Sequence, residues 1–197
     1  LQGGHKPWTA KQCAAAEEKF EGMIRRAYFL ARYTGQRGSD IVRLGPSFID
    51  DGGFHFRQQK TGVEVWCPIE DTLLAEISTW VMQSHIGPYL YQNHGKAYGK
   101  KLLDKHFEDV RANVPELSGT TFHGLRATRV IELRQQGCTT MQIADQVGMS
   151  LRTIERYCRY ADKKANGKAA VLSLLERRKN AHWKTLENTS EKLKDFK

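Results

Sequence analysis

Four short stretches of the sequence hold side chains that handle anions and protons. Thr34-Gly35-Gln36-Arg37-Gly38-Ser39-Asp40 sets an arginine between glycines. Gln59-Lys60-Thr61-Gly62 sets a lysine in a turn. His123-Gly124-Leu125-Arg126 spaces an imidazole and a guanidinium one helical turn apart. Gly148-Met149-Ser150 leads on to Ile154-Glu155-Arg156-Tyr157. A guanidinium stays charged and can donate two parallel hydrogen bonds to one oxyanion. Histidine and lysine can pass protons, and a tyrosine oxygen becomes a nucleophile once a positive field and a base offset its ordinary pKa of about 10. Each stretch alone also has a plain structural use. Arg37 could satisfy helix-end carbonyls, Lys60 could be a solvated hairpin residue, His123 with Arg126 a surface pair, and Tyr157 a core tyrosine with its hydroxyl at the edge.

Positioning these residues falls mostly to helices. Thr9 with Gln12 forms a capping box that opens a helix. Phe20, Met23, Ile24, Ala27 and Ala31 share one face, so that helix is expected to run on to Gly35. Ser39 is the expected N-cap of a short second helix carrying Ile41 and Leu44 before Pro46. The period then changes. Phe48-Ile49, Phe54-His55-Phe56 and Val63-Glu64-Val65-Trp66 are separated by Asp51-Gly52-Gly53 and Thr61-Gly62. They predict a small three-stranded antiparallel sheet with Lys60 beside its second turn. Residues 71–84 return to a helical pattern, Gly87-Pro88 breaks it, and Tyr89-Leu90-Tyr91 reads as extended. Further helices are predicted from about Gly99 to Asn113 and at 123–136, 140–147, 151–160 and 168–187, with 162–168 as a loop. The fold class is therefore mainly α with a small antiparallel β-sheet (α+β). Residues 1–8 read as an arm or linker, 9–161 as a core domain, and 162–197 as a C-terminal helix and tail.

Composition narrows the partners. Lys and Arg number 31 against 22 Asp and Glu, a net charge of +9, which favours a polyanion. The four cysteines, Cys13, Cys67, Cys138 and Cys158, are scattered and show no zinc-type spacing. Reduced thiols, no metal and no cofactor are expected. No apolar run approaches the roughly 18 residues of a membrane span, and no secretory signal is visible, so a cytoplasmic location is expected. The chain opens at Leu1 rather than Met, as a fragment of a longer protein would.

In order and spacing, the four stretches resemble the tyrosine recombinase, or phage integrase, family over roughly residues 10–160. The resemblance implies site-specific DNA cleavage and rejoining through a 3′-phosphotyrosyl bond, without metal. It implies that Arg37 and Arg126 stabilise the charge on the reacting phosphate and that Tyr157 is the nucleophile. His123 would assist proton transfer, Lys60 would protonate the departing 5′-oxygen, and Asp40 would support Arg37. It further implies a double-stranded DNA partner, a homo-oligomer that is a tetramer on DNA, and a C-terminal segment, with Leu172, Leu175 and Trp183, exchanged between protomers or packed on its own domain. Two departures stand out. Met149 follows Gly148 where the family usually has histidine or tryptophan, and the step to the tyrosine is one residue short. A thioether cannot donate a hydrogen bond to a phosphate, so a slower enzyme, or another donor such as His182 or a backbone group, is expected. Tyr160, one turn beyond Tyr157, is the alternative nucleophile. Family members also carry an N-terminal helical domain that closes a clamp on DNA; without it, weak binding is expected.

Other functions compete. Residues 141–157 also fit a helix-turn-helix, with Ala144 in the first helix, Gly148 at the turn and Ile154 in the second. On that reading Arg152 and Arg156 contact bases or phosphates and no bond breaks. A type IB topoisomerase would use a similar active site, and Met149 would suit an integrase that has lost activity. On the recombinase reading, Arg126→Ala is expected to abolish cleavage with little effect on stability.

Overall fold

Thr9 opens the first helix, α1 (Ala10–Lys19), through the anticipated capping box: its hydroxyl accepts from the Gln12 amide, and the Gln12 side chain accepts from Thr9 N–H. The computed structural model describes residues 5–194, apart from the side chains of His94, Tyr160, Ala161, Lys164, Ala165, Lys168 and residues 180–194. The single helix expected up to Gly35 is two. The chain is extended at Phe20 (φ −83°, ψ 136°), turns at Gly22 (φ +54°), and resumes as α2 (Gly22–Thr34). The break lets Phe20 bury its ring edge-on against Tyr28 and Phe107, at 5.7 and 6.5 Å, and Gly22 tolerates the positive φ. The apolar stripe runs across the break, which is why periodicity alone missed it.

α2 ends at Gly35 in the left-handed conformation, and α3 (Gly38–Ile41) follows with Arg37, not Ser39, as its N-cap. The sheet is the three-stranded antiparallel one expected, in the order β1 (Ile49–Asp50), β2 (Gly53–Arg57), β3 (Glu64–Pro68). Asp51 (φ 47°) and Gly52 (φ 73°) make the two-residue first turn, whose left-handed pair matches strand twist. Phe54, Phe56, Val65 and Cys67 are buried, on one face, by the strand period of two. α4 (Asp71–Ser78) stops short of residue 84. Beyond it, buried Arg26 takes the Val81 and Tyr89 carbonyls at 2.9 and 3.1 Å and lies under Trp80, holding the segment out of helix.

α5 (Lys100–Ala112), α6 (Gly124–Gln135) and α7 (Thr140–Val147) fall close to their predicted ranges. α8 runs without interruption from Leu151 to Lys194, so the loop expected at 162–168 is helix. Asp162, Asn166 and Gly167 are the poor helix formers in that stretch, and one exposed glycine costs about 1 kcal/mol, too little to break a long helix. α6 is the central strut. Leu125 belongs to a large core shared with Phe20, Tyr28, Phe54, Leu103 and Phe107, while Ala127, Val130 and Leu133 belong to a second core with Ile143, Val147, Ile154 and Tyr157. The chain divides into two compact units after Cys158. Among the described residues no helix is long and apolar enough to cross a membrane.

Candidate active site

Two glycines in the left-handed conformation, Gly35 at the end of α2 and Gly148 at the end of α7, build the frame of the site. Their carbonyls accept hydrogen bonds from Arg126 Nη1 (2.8 Å) and Nη2 (3.1 Å). Arg126 is 2% exposed and commits two of its five N–H donors to this bridge. Both glycines are needed. A Cβ on Gly148 would lie 2.3 Å from Gln58 Nε2, and one on Gly35 would lie 3.0 Å from Val147 Cγ1. Arg37 follows the first glycine and donates from Nη1 to Gln58 Oε1 at 2.5 Å. His123 is the residue before α6, and Tyr157 lies in the second turn of α8, 5% exposed.

These residues line one cleft of about 520 Å³. Arg37, His123, Arg126 and Tyr157 share it with Met149, Ser150, Thr153, Thr61, Glu64 and Asp145. Burial and the closeness of two arginines govern the electrostatics of the cleft. Burial, followed by the charge of Arg37, pushes the Arg126 guanidinium down to about 9, against the opposing pull of Asp40 and Tyr157. Burial first, then the positive charges of His5, Arg126, Arg37 and Lys100, pushes His123 down to about 4. His123 is therefore a neutral imidazole at neutral pH. His5 was not anticipated. The segment His5–Trp8 crosses the start of α6, with Trp8 N–H donating to Thr128 Oγ1 (2.7 Å) and Trp8 Nε1 to the Thr121 carbonyl (2.9 Å). This brings the His5 ring to 4.4 Å from that of His123. Gly124 makes room, since a Cβ there would lie 2.5 Å from the Lys6 carbonyl oxygen. Among the described residues no three His, Cys, Asp or Glu gather as a metal ion would need.

No protein-family model matches the chain. The integrase of Escherichia phage HK022 is 30% identical over 132 residues, which is 61% of this chain and 37% of that protein. Lambda integrase (residues 75–356), solved as a dimer bound to a COC′ core site, is similar with a TM-score of 0.63 at 22% identity, over 78% of this chain and 59% of that one. XerA recombinase is similar with a TM-score of 0.68 at 14% identity, over 83% and 65%. The fold is that of a tyrosine recombinase catalytic domain. These likenesses favour neither a helix-turn-helix regulator nor a type IB topoisomerase. The chain spans about 37% of the length of its curated relative and 59% to 65% of the two solved recombinases.

Within this tyrosine recombinase fold, the remaining expected site residues lie as follows. Lys60 is exposed at the apex of the β2–β3 hairpin and is not among the residues lining the cleft, although its neighbour Thr61 is. Asp40 is 1% exposed but bonds elsewhere than to Arg37. Its Oδ1 accepts from Gln59 N–H at 2.7 Å, its Oδ2 has no hydrogen-bond partner, and its charge favours the Arg126 cation. Arg152 and Arg156 are exposed and do not line the cleft. The side chains of Tyr160, His182 and Trp183 lie outside those described, whereas Leu172 and Leu175 are exposed. Met149 lines the cleft at the anticipated position. Arg126 does not fit the expectation that its truncation would leave stability nearly unchanged. Alanine would orphan the Gly35 and Gly148 carbonyls, each at about 1–3 kcal/mol.

Proposed function

We propose that this chain breaks and rejoins double-stranded DNA at specific sites through a covalent bond between Tyr157 and a 3′-phosphate. The observation that carries the reading is the single cleft shared by Arg37, His123, Arg126 and Tyr157. Tyr157 Oη attacks phosphorus, and His123 takes the phenolic proton. The bond from phosphorus to the 5′-oxygen breaks, and Lys60 gives that oxygen a proton. Arg37 and Arg126 donate to the two non-bridging oxygens, where charge builds as the fifth bond forms. The phosphotyrosine keeps the energy of the broken bond, so a 5′-hydroxyl can attack it and restore the strand. The residues supply the charges and protons that both directions need.

Asp40 is a supporting residue, holding the hairpin through Gln59 and balancing the charge of buried Arg126. Arg152 and Arg156 meet DNA from the exposed face of α8. The working form is a homo-oligomer, a tetramer on DNA, with residues 9–161 as the catalytic core and 162–197 exchanged between protomers. It acts in the cytoplasm, on a bacterial or phage chromosome. The net charge of +9 and the solved lambda integrase dimer on its core site support the DNA partner and the assembly.

The test uses a pool of duplexes with randomised cores and a nick that lets the cleaved end diffuse away. Protein–DNA complexes that survive detergent are recovered. The wild-type chain yields covalent adducts and Tyr157→Phe yields none. Tight sequence-specific binding with no adduct would contradict strand cutting and favour a non-cutting regulator. Plasmid relaxation by the monomer would favour a topoisomerase.

A further inference from the structure

The side-chain amide of Gln58, directly after β2, is 1% exposed and joins three segments of the cleft. Its Nε2 donates to Gln36 Oε1 (2.7 Å) and to the Val147 carbonyl (2.9 Å). Its Oε1 accepts from Arg37 Nη1 (2.5 Å) and from Thr61 Oγ1 (2.8 Å). A carboxamide has two N–H donors and two acceptor lone pairs, so all four capacities are used. The orientation of the amide is fixed, because a carbonyl can only accept and a guanidinium can only donate. Its backbone also closes the hairpin: Gln58 N–H donates to the Val63 carbonyl and Gly62 N–H to the Gln58 carbonyl, both at 2.9 Å. Gln58 packs so closely on Gly148 that no side chain fits there.

We infer that Gln58 is a positioning residue that couples the arginine gripping the phosphate to the hairpin carrying the proton donor. One oxygen holds both Arg37 and Thr61, the neighbour of Lys60. The opposite end of the amide anchors that oxygen to the α7–α8 turn, whose Gly148 carbonyl holds Arg126. No other side chain of this size can do this. Glutamate would set a carboxylate oxygen against the Val147 carbonyl, leucine would leave all four partners unpaired, and asparagine is one methylene short. The inference rests on the cleavage reading for its catalytic consequence and on the free protein for the coupling itself.

Three chains are compared, wild type, Gln58→Leu and Thr61→Val, each checked by thermal melting. Single-turnover adduct formation is measured on a recovered nicked duplex carrying either the ordinary 5′-oxygen or a bridging 5′-sulfur, which leaves without needing a proton. Thr61→Val cuts only the hairpin link. It is expected to slow cleavage of the oxygen substrate about tenfold, a part of what a general acid supplies, with the sulfur substrate restoring the rate. Gln58→Leu cuts both links. It is expected to slow the oxygen substrate about 100-fold or more, with sulfur restoring only the hairpin share. Equal losses on both substrates for Thr61→Val, or a folded Gln58→Leu that cuts at the wild-type rate, would overturn the inference. In the free protein both variants should speed hydrogen exchange at the Gln59 and Gly62 amides, and unchanged exchange would also overturn it. Wild-type protein that forms no adduct on any duplex would count against the cleavage reading, while the exchange measurement still decides the coupling.

Discussion

His123 resists protonation because it is buried among positive groups, and this fixes how the protein responds to acid. Its pKa near 4 in the folded state lies below the ordinary histidine value, so the unfolded chain binds a proton that the folded chain refuses. The contribution to stability is complete above about pH 6.5 and is lost as pH falls toward 4. His5→Ala removes the charged neighbour with the largest effect on His123 and is expected to raise the His123 titration midpoint, followed by the imidazole proton resonances, and to lessen the loss of stability in acid. An unmoved midpoint would mean that burial and the remaining cations, Arg126, Arg37 and Lys100, set it without His5. At this scale the sequence revealed residue types and order but not partners. Arg37, His123, Arg126 and Tyr157 could be picked out because their types suit phosphate chemistry. Gln58 could not, since a glutamine at the end of a polar hairpin strand looks like a solvent residue until the fold closes around it. Nor could His5, whose place beside His123 depends on a contact across more than a hundred residues.

Elements place these residues through a few backbone turns. Gly148 stands at φ +62°, a conformation costly for other residues, and a Cβ there would collide with Gln58 and with Val65 at 2.8 Å. Gly148→Ala is therefore expected to cost at least about 2 kcal/mol in denaturant unfolding and to loosen the bridge that Arg126 makes to the Gly148 carbonyl. Gly167 is the opposite case. It lies exposed inside α8 with nothing within 4 Å of a built Cβ. Gly167→Ala is expected to add helix signal in circular dichroism and stabilise α8 by about 1 kcal/mol; lost helicity would restore the loop that composition suggested. Helix ends marked by glycine and capping boxes were readable, as at Thr9, Gly35 and Gly148. The break at Phe20 and the early end of α4 were not, because burial against α5 and the grip of Arg26 on distant carbonyls decide them.

The whole molecule is a basic chain with a recombinase catalytic fold and a cleft lined by two arginines, Arg37 and Arg126. DNA binding should release counterions. The binding constant is expected to fall by about 0.9 of a decade per decade of salt for each phosphate engaged, and Arg37→Ala is expected to lower that slope by about one contact when measured by fluorescence anisotropy. A slope unaffected by Arg37→Ala would place the DNA elsewhere. The most direct test of the account is the identity of the residue that carries DNA after cleavage. Adducts recovered on nicked duplexes are digested, and the peptide bearing a nucleotide is sequenced by tandem mass spectrometry. The account predicts a 3′-phosphonucleotide on Tyr157. A nucleotide on Tyr160 or Ser150 would contradict it, as would DNA bound tightly and released with no covalent mark.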